Sequence, residues 1–402
     1  MASKNGLQVR NREDSKIVEI KYIKDTLKIL IVTNKVRTYT LGYQNCLEPL
    51  MSLGHKVVWA ADFSDFVGDS GEIPCETTQI DICRNPLKAG NLRAYRKLLR
   101  LIKDTHIDAV YCSTPIGGLL GRIAGWRGGI RPVIYAAHGF LFYKGAPWWW
   151  NFVFRTEEKV LAKLTDVLIT INDEDMAAAQ SLKLRGPGHI YQIGAAGVKG
   201  HYEVSKDRAQ MRRELGLSDE AVVLVSAGAL NKNKNYGPVI SALSTLGNKN
   251  LYYLICGDGI LKENLQKQIK KKGLEGHVML LGYRTDAIDI MGCADIFVMP
   301  SLREGMPRAT LEAMALGLPC IVSNSRGNRD LITNGENGFI CGPRNVKQYA
   351  EAISTLAGDA ELRRAMGAKN AAGGGYYPVY IVSCSSSAIW HFCRGTWKGE
   401  RQ

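Results

Sequence analysis

The chain has 402 residues, more than one ordinary hydrophobic core organises, and its length suggests two domains. Hydrophobic residues make up 46% and charged residues 22%, as in a soluble globular protein; the ten cysteines contain no Cys-x-x-Cys pair, which argues against zinc and a disulfide framework and fits a reducing cytosol. A formal net charge of +14 implies an anionic partner, and nucleic acid, anionic lipid and phosphorylated small molecules all qualify.

Residues 1–25, opening MASKNGLQVRNREDSK, read as a polar extension without the apolar stretch of a signal peptide, and no apolar run approaches the roughly 18 residues of a membrane span. From Leu27 the pattern becomes strand, helix, strand: Leu27–Val32, Gln44–Leu53 and Lys56–Ala60. The segment from Arg84 to Lys103 carries seven basic residues and no acidic one. In it Leu92, Tyr95, Leu98, Leu99 and Ile102 recur at helical spacing, with Arg93, Arg96, Lys97, Arg100 and Lys103 on other faces. Such a basic amphipathic helix can pack its apolar stripe in the core and face anionic lipid with the rest. Strands continue at Ala109–Cys112, Val133–Ala136 and Val167–Thr170, and Trp148-Trp149-Trp150 beside Lys144 adds an aromatic group suited to a membrane interface. Asp173-Glu174-Asp175 is the only carboxylate cluster, and it reads as a helix start capped by Asn172 or Asp173 rather than as a metal site.

A Gly-rich stretch, Gly194–Gly200, reads as a linker, and a second strand series follows at Ala221–Ser226, Leu251–Ile255, Val278–Leu281, Ile296–Met299 and Cys320–Ser323. Strands alternating with helices imply parallel sheets covered on both faces. The expected class is α/β, with two doubly wound Rossmann-like domains, residues 26–195 and 196–370, facing an interdomain cleft at the carboxyl ends of their strands.

The strand ends of the second half carry the polar residues. The first is followed by Gly228-Ala-Leu-Asn-Lys-Asn-Lys-Asn235 with Lys232 and Lys234, the second by Gly257-Asp258-Gly259, the third by Gly282-Tyr283-Arg284. After the fourth, Glu304 stands eight residues before Glu312, with Gly305 and Pro307 between them. Pro307 suits the first helical position, Gly317 the C′ position, and Pro319 stops the helix, so the expectation is a tight turn and a helix of about ten residues. One carboxylate then sits on the turn and the other on the second helical turn. The free N–H groups of the helix N-terminus between them favour a bound anion. Phosphate held beside two carboxylates that face neutral hydroxyls suits a sugar nucleotide.

Glu304-x7-Glu312, within EGMPxxxLEAMALGLP, resembles the signature of the retaining glycosyltransferases of family 4, which have the GT-B fold. The resemblance implies roles. Lys234 grips the nucleotide diphosphate, with Lys232 in the same loop. Glu312 accepts from the ribose hydroxyls and Glu304 from those of the transferred sugar. Backbone N–H groups at Gly305 and Met306 meet sugar or phosphate oxygens, Gly257, Asp258 and Gly259 lie against the donor, and backbone at Tyr283 and Arg284 reads the base edge. In the first half, His138 faces the cleft beside the transferred sugar. The hard step is departure of a nucleoside diphosphate, whose growing negative charge meets Lys234 and the helix N-terminus, so no metal is required.

Arg84-Asn-Pro-Leu87, Ser113-Thr-Pro-Ile-Gly117 and His138–Pro147 look like the branch of family 4 that builds bacterial capsular and extracellular polysaccharides. That branch implies a UDP-linked donor and a polyprenyl-diphosphate-linked acceptor. It also implies a cytoplasmic enzyme at the inner membrane face, with Arg84, Arg93, Arg96, Lys97 and Arg100 on the acceptor or membrane side and no nucleic-acid partner. A UDP-sugar 2-epimerase and a non-catalytic GT-B-like scaffold or partner subunit are the alternatives. Three departures stand out: Ala229 where the family usually has Arg, with Arg303, Arg308 or Lys232 as substitutes; no paired glycines in Thr33–Thr38; and a helical composition that stops near Asn370, before an atypical tail at 371–402 that suggests a shifted reading frame.

Overall fold

The computed structural model describes residues 8–10, 17–19, 26–83, 85–86, 88–193 and 202–374, which fall into two compact units, one ending at residue 193 and one starting at residue 202. Arg84, the proposed linker 194–200 and residues 375–402 of the tail lie outside the described residues. Part of the expected polar extension is structured: β1 (Gln8–Arg10) and β2 (Ile17–Glu19) pair antiparallel.

The first unit is built on a seven-stranded parallel sheet: β3 (Lys28–Lys35), β4 (Lys56–Asp62), β5 (Glu76–Gln79), β6 (Ala109–Ser113), β7 (Val133–Ala137), β8 (Val167–Thr170) and β9 (His189–Gln192), in the order β5-β4-β3-β6-β7-β8-β9. Its helices are α1 (Leu41–Ser52), α2 (Gly90–Thr105), α3 (Pro115–Arg127), α4 (Trp148–Ala162) and α5 (Asp173–Ala179). Side chains alternate across the pleat, so each face fills its own core. Ile29, Ile31, Trp59 and Tyr111 pack on one face, and Leu30, Val32, Val58 and Tyr135 on the other. Asn172 caps α5, accepting from the Asp175 N–H at 2.8 Å, as its position suggests.

The buried stripe of α2 is displaced from the expected one. Asn91, Ala94, Leu98 and Ile102 are buried, Tyr95 and Leu99 partly so, and Leu92 is exposed. Asn91 takes an inward position because its side chain serves the preceding loop: it accepts from Cys83 N at 2.9 Å and donates to Cys83 O at 3.2 Å and Asn85 O at 2.8 Å. A polar residue with saturated hydrogen bonds can sit inside, and apolar spacing alone does not find it.

α3 lies against β6 and β7 through glycines; a Cβ on Gly118 would stand 2.4 Å from the Tyr135 ring. This closeness puts Arg122 over that ring, 3.8 Å from its centroid. There the guanidinium pairs with Glu158 of α4 through both its terminal nitrogens. Arg122 is 2% exposed and Glu158 7%. Glu158→Ala leaves a buried guanidinium without its carboxylate and is expected to cost about 3–5 kcal/mol, seen as a lower urea midpoint at unchanged slope. A shift below about 0.5 kcal/mol would show that the pair does not seat α4.

The second unit repeats the strand order with six parallel strands: β10 (Val222–Ala227), β11 (Leu251–Cys256), β12 (Val278–Gly282), β13 (Ile296–Met299), β14 (Cys320–Ser323) and β15 (Gly338–Cys341), arranged β12-β11-β10-β13-β14-β15. Around them lie α6 (Arg208–Glu214), α7 (Gly237–Leu246), α8 (Lys262–Lys271), α9 (Ala287–Gly292), α10 (Arg308–Ala315), α11 (Arg326–Leu331), α12 (Val346–Gly358) and α13 (Ala360–Gly374). Helix α13 runs four residues past Asn370, near which the helical composition stops. Buried Asn370 donates to Leu318 O at 2.7 Å and Asn337 O at 2.9 Å, and the helix continues through Ala371 and Ala372, good helix formers, before it ends at Gly374.

Candidate active site

Strand β13 is fully buried, and the chain leaves it through Pro300 and Ser301 into an open turn. Helix α10 then starts at Arg308 with Pro307 as its N-cap, one residue later than expected, and spans eight residues rather than about ten. Gly317 adopts φ 73°, the left-handed C′ conformation that its position suggests. Glu304 therefore lies on the turn and Glu312 on the second turn of the helix.

The turn meets the loop after β10, because β10 and β13 are neighbours in the sheet. Lys234 Nζ donates to Glu304 Oε1 at 2.9 Å, with the side chains only 19% and 13% exposed. This is the one contact that joins two of the proposed catalytic side chains among the described residues. Glu312 turns to Arg308, whose Nη2 lies 3.5 Å from Oε1. Burial raises the pKa of Glu312 above the ordinary carboxylate value, and Arg308 only partly offsets it. Arg308 Nε is itself buried without a hydrogen-bond partner.

The glycines of Gly257-Asp258-Gly259 have a packing reason as well. A Cβ on Gly257 would stand 2.0 Å from Gly228 O, and one on Gly259 2.6 Å from Leu230 O, so the loops after β10 and β11 touch backbone to backbone. Leu230 N donates to Asp258 O at 2.9 Å and Gly257 N to Gly282 O at 2.7 Å, which joins the third loop to the other two. Around this assembly Tyr283 is 77% exposed, Lys232 is exposed, and Arg284 is held by Asp286 at 2.7 and 2.5 Å.

From the other side, α11 braces the turn. A Cβ on Gly327 would meet Gly305 O at 2.2 Å, and buried Arg326 donates through Nε to Glu304 O at 3.3 Å. Met306 lies beside this contact. Arg326, Asn233 and Asn235 all contact the turn or the Lys234 loop, and motif reading did not single them out. For the asparagines a signal existed, the alternation Asn-Lys-Asn-Lys-Asn after a strand; for Arg326 there was none.

His138 follows β7 in the first unit and is exposed. Arg93, Arg96, Lys97 and Arg100 are exposed on α2.

Two family models match the chain: "Glycosyltransferase Family 4" over residues 44–189 and "Glycosyl transferases group 1" over residues 207–372. The glycosyltransferase EpsD of Bacillus subtilis (strain 168) is 36% identical over 73% of this chain and 78% of that protein. The UDP-Gal:alpha-D-GlcNAc-diphosphoundecaprenol alpha-1,3-galactosyltransferase of Escherichia coli is 30% identical over 70% of this chain and 74% of its own length. Among solved structures, Anabaena HepE in complex with UDP and glucose superposes with a TM-score of 0.71 at 19% identity, covering 90% of this chain and 99% of HepE, which shows the GT-B fold. The chain therefore belongs to the family 4 glycosyltransferases of group 1 type and is a glycosyltransferase related to those of bacterial polysaccharide biosynthesis.

Proposed function

We propose that this glycosyltransferase moves a sugar, with retention of configuration, from a UDP-linked donor to a polyprenyl-diphosphate-linked glycan at the inner face of the cell membrane, without a metal ion. The observation that carries the proposal is the meeting of Lys234 and Glu304 at 2.9 Å on the turn ahead of α10, with Glu312 on the helix behind it. In the donor complex Lys234 turns its ammonium to the diphosphate, where charge grows as the glycosidic bond breaks, and Glu304 takes hydroxyls of the sugar. Glu312 accepts from the ribose. Arg308, whose side chain is 41% exposed beside Glu312, replaces the cation missing at Ala229. The E. coli relative, whose name gives a UDP-sugar donor and a diphosphoundecaprenol-linked acceptor, supports both substrate classes.

The membrane contact belongs to α4 as much as to α2. On α4, Trp148 is 81%, Phe152 67%, Trp149 53% and Val153 51% exposed. Exposed Lys144, Arg155, Lys159 and Lys163 stand in the same segment, and α3 packs between α4 and the basic helix α2. Aromatic rings flanked by basic residues suit the headgroup region of an anionic bilayer.

Calorimetric titration with UDP, GDP and ADP tests the donor assignment. Binding of UDP is expected to weaken about tenfold or more in Glu312→Ala and in Lys234→Ala, the size of a lost charge-assisted hydrogen bond; no binding by any nucleotide would overturn the assignment. Vesicle flotation tests the surface: the chain is expected to float with phosphatidylglycerol vesicles and not with phosphatidylcholine, and Trp148→Ala/Phe152→Ala to stay in the soluble fraction. A changed oligomeric state with unchanged flotation would instead mark a protein interface.

Glu312 also sets a pH dependence. Its raised pKa means that the ligand-free fold disfavours the ionised carboxylate, so its contribution is lost as pH rises through that pKa. Glu312→Gln is expected to melt above the wild type at pH 7 and to lose that advantage below the ordinary glutamate value of about 4.3. An offset equal at both pH values would assign the effect to something other than this ionisation.

A further inference from the structure

The segment Asn231-Lys232-Asn233-Lys234-Asn235 runs between two buried anchors, Leu230 and Tyr236, and none of its own residues is buried. The facing segment, Leu302 to Glu304, is likewise only partly buried. The two are joined by polar contacts. Leu302 N donates to Asn233 O at 2.7 Å, and Asn233 Nδ2 donates to Arg303 O at 2.9 Å. Asn235 Nδ2 divides its two hydrogens between Pro300 O at 3.0 Å and Pro343 O at 2.6 Å. Asn231 Oδ1 accepts from Lys234 N at 3.0 Å. Asn235 has φ 55°, a left-handed conformation that asparagine tolerates and β-branched residues do not. Beyond the ends of β10 and β13, amide side chains thus add to the backbone bond, Leu302 N to Asn233 O, that still joins these two segments.

We infer that Asn233 and Asn235 are positioning residues that lock the Lys234 loop to the Glu304 turn, so that the phosphate-facing ammonium and the sugar-facing carboxylate are held as one unit. The inference rests on the donor-site reading of Lys234 and Glu304. Lysine carries its charge on a flexible four-carbon stem, so the aim of its ammonium depends on where the backbone is held. A displacement of about 1 Å at such a group is enough to cost up to about a hundredfold. Neither asparagine side chain makes a hydrogen bond to Lys234 or Glu304. They act through the two loops.

The test compares UDP with UMP, which lacks the second phosphate, by calorimetry on the full chain. Wild type, Lys234→Ala, Asn233→Ala, Asn235→Gly and Asn233→Ala/Lys234→Ala are titrated, with thermal melts as a control for folding. Asn235→Gly permits the left-handed backbone while removing the side chain and its two hydrogen bonds; Asn233→Ala keeps the Leu302 bond. UDP affinity is expected to fall about tenfold in both, with UMP changing less than twofold, so that the UDP-to-UMP ratio narrows as it does in Lys234→Ala. The double variant is expected to show no narrower ratio than Lys234→Ala alone, because both changes remove the same interaction. Equal loss for UDP and UMP would mean a loosened domain and overturn the inference, as would an unchanged ratio in both asparagine variants while Lys234→Ala narrows it. An unchanged ratio in Lys234→Ala itself, or a wild type that binds neither nucleotide, would remove the donor-site reading and the inference with it.

Discussion

Parallel strand pairing is the constraint from which the rest of the molecule follows. Two parallel neighbours cannot be joined by a tight hairpin, so each connection crosses a face of the sheet, normally as a helix. All the strands of each main sheet then end on the same edge, and every loop leaving a strand is delivered there. In the second unit this brings together Gly228–Asn235, Gly257–Gly259, Gly282–Arg284 and Pro300–Pro307, four segments spread over eighty residues of chain. The loops touch backbone to backbone where glycine allows it, as Gly257 does against Gly228 and Gly327 against Gly305. Chemistry collects at that edge because the topology leaves polar backbone there with no strand to pair with.

Charge at that edge is arranged in opposed pairs. Lys234 faces Glu304 and Arg308 faces Glu312, with one member of each pair on the turn or first residue of α10. Removing these groups partly from water costs solvation energy, and mutual attraction offsets some of it. Glu312 shows the balance directly: desolvation outweighs the pull of Arg308 and lifts its pKa. Under the donor-site proposal, a ligand with both anionic and hydroxyl groups would offer the cations a stronger partner and the carboxylates new donors. The ligand-free pairs also keep each charge from standing alone when nothing is bound.

The sequence made the interior of both sheets legible, and for a physical reason. A parallel strand covered on both faces is a continuous apolar run, and Ile29–Val32, Val133–Ala136 and Ile296–Met299 all have that form. The three strands of the main sheets that escaped, β5 (Glu-Thr-Thr-Gln), β9 (His-Ile-Tyr-Gln) and β15 (Gly-Phe-Ile-Cys), lie at sheet edges, where one side is open and burial no longer demands such a run. At the candidate site, residues that belong to a motif could be singled out in the sequence, and residues with only a geometric duty could not. Glu304 and Glu312 announce themselves by spacing. Arg326 does not, because what makes it matter is the approach of α11 to the turn, which no local pattern encodes.

Helix α4 shows how polar contacts can specify a surface. Its inward anchors are few: Leu161 and Ala162 are buried, Trp150 donates through Nε1 to Leu141 O at 2.8 Å, and Asn151 exchanges hydrogen bonds with Tyr143 at 3.0 and 3.1 Å. By hydrophobicity alone the helix would gain by rolling until Trp148, Trp149 and Phe152 faced the core. Rolling would, however, pull the Glu158 carboxylate away from Arg122 and leave the guanidinium buried against Tyr135 without a counter-charge, which opposes it. The hydrogen bonds of Trp150 and Asn151 act in the same direction, and together these contacts keep the aromatic rings outward.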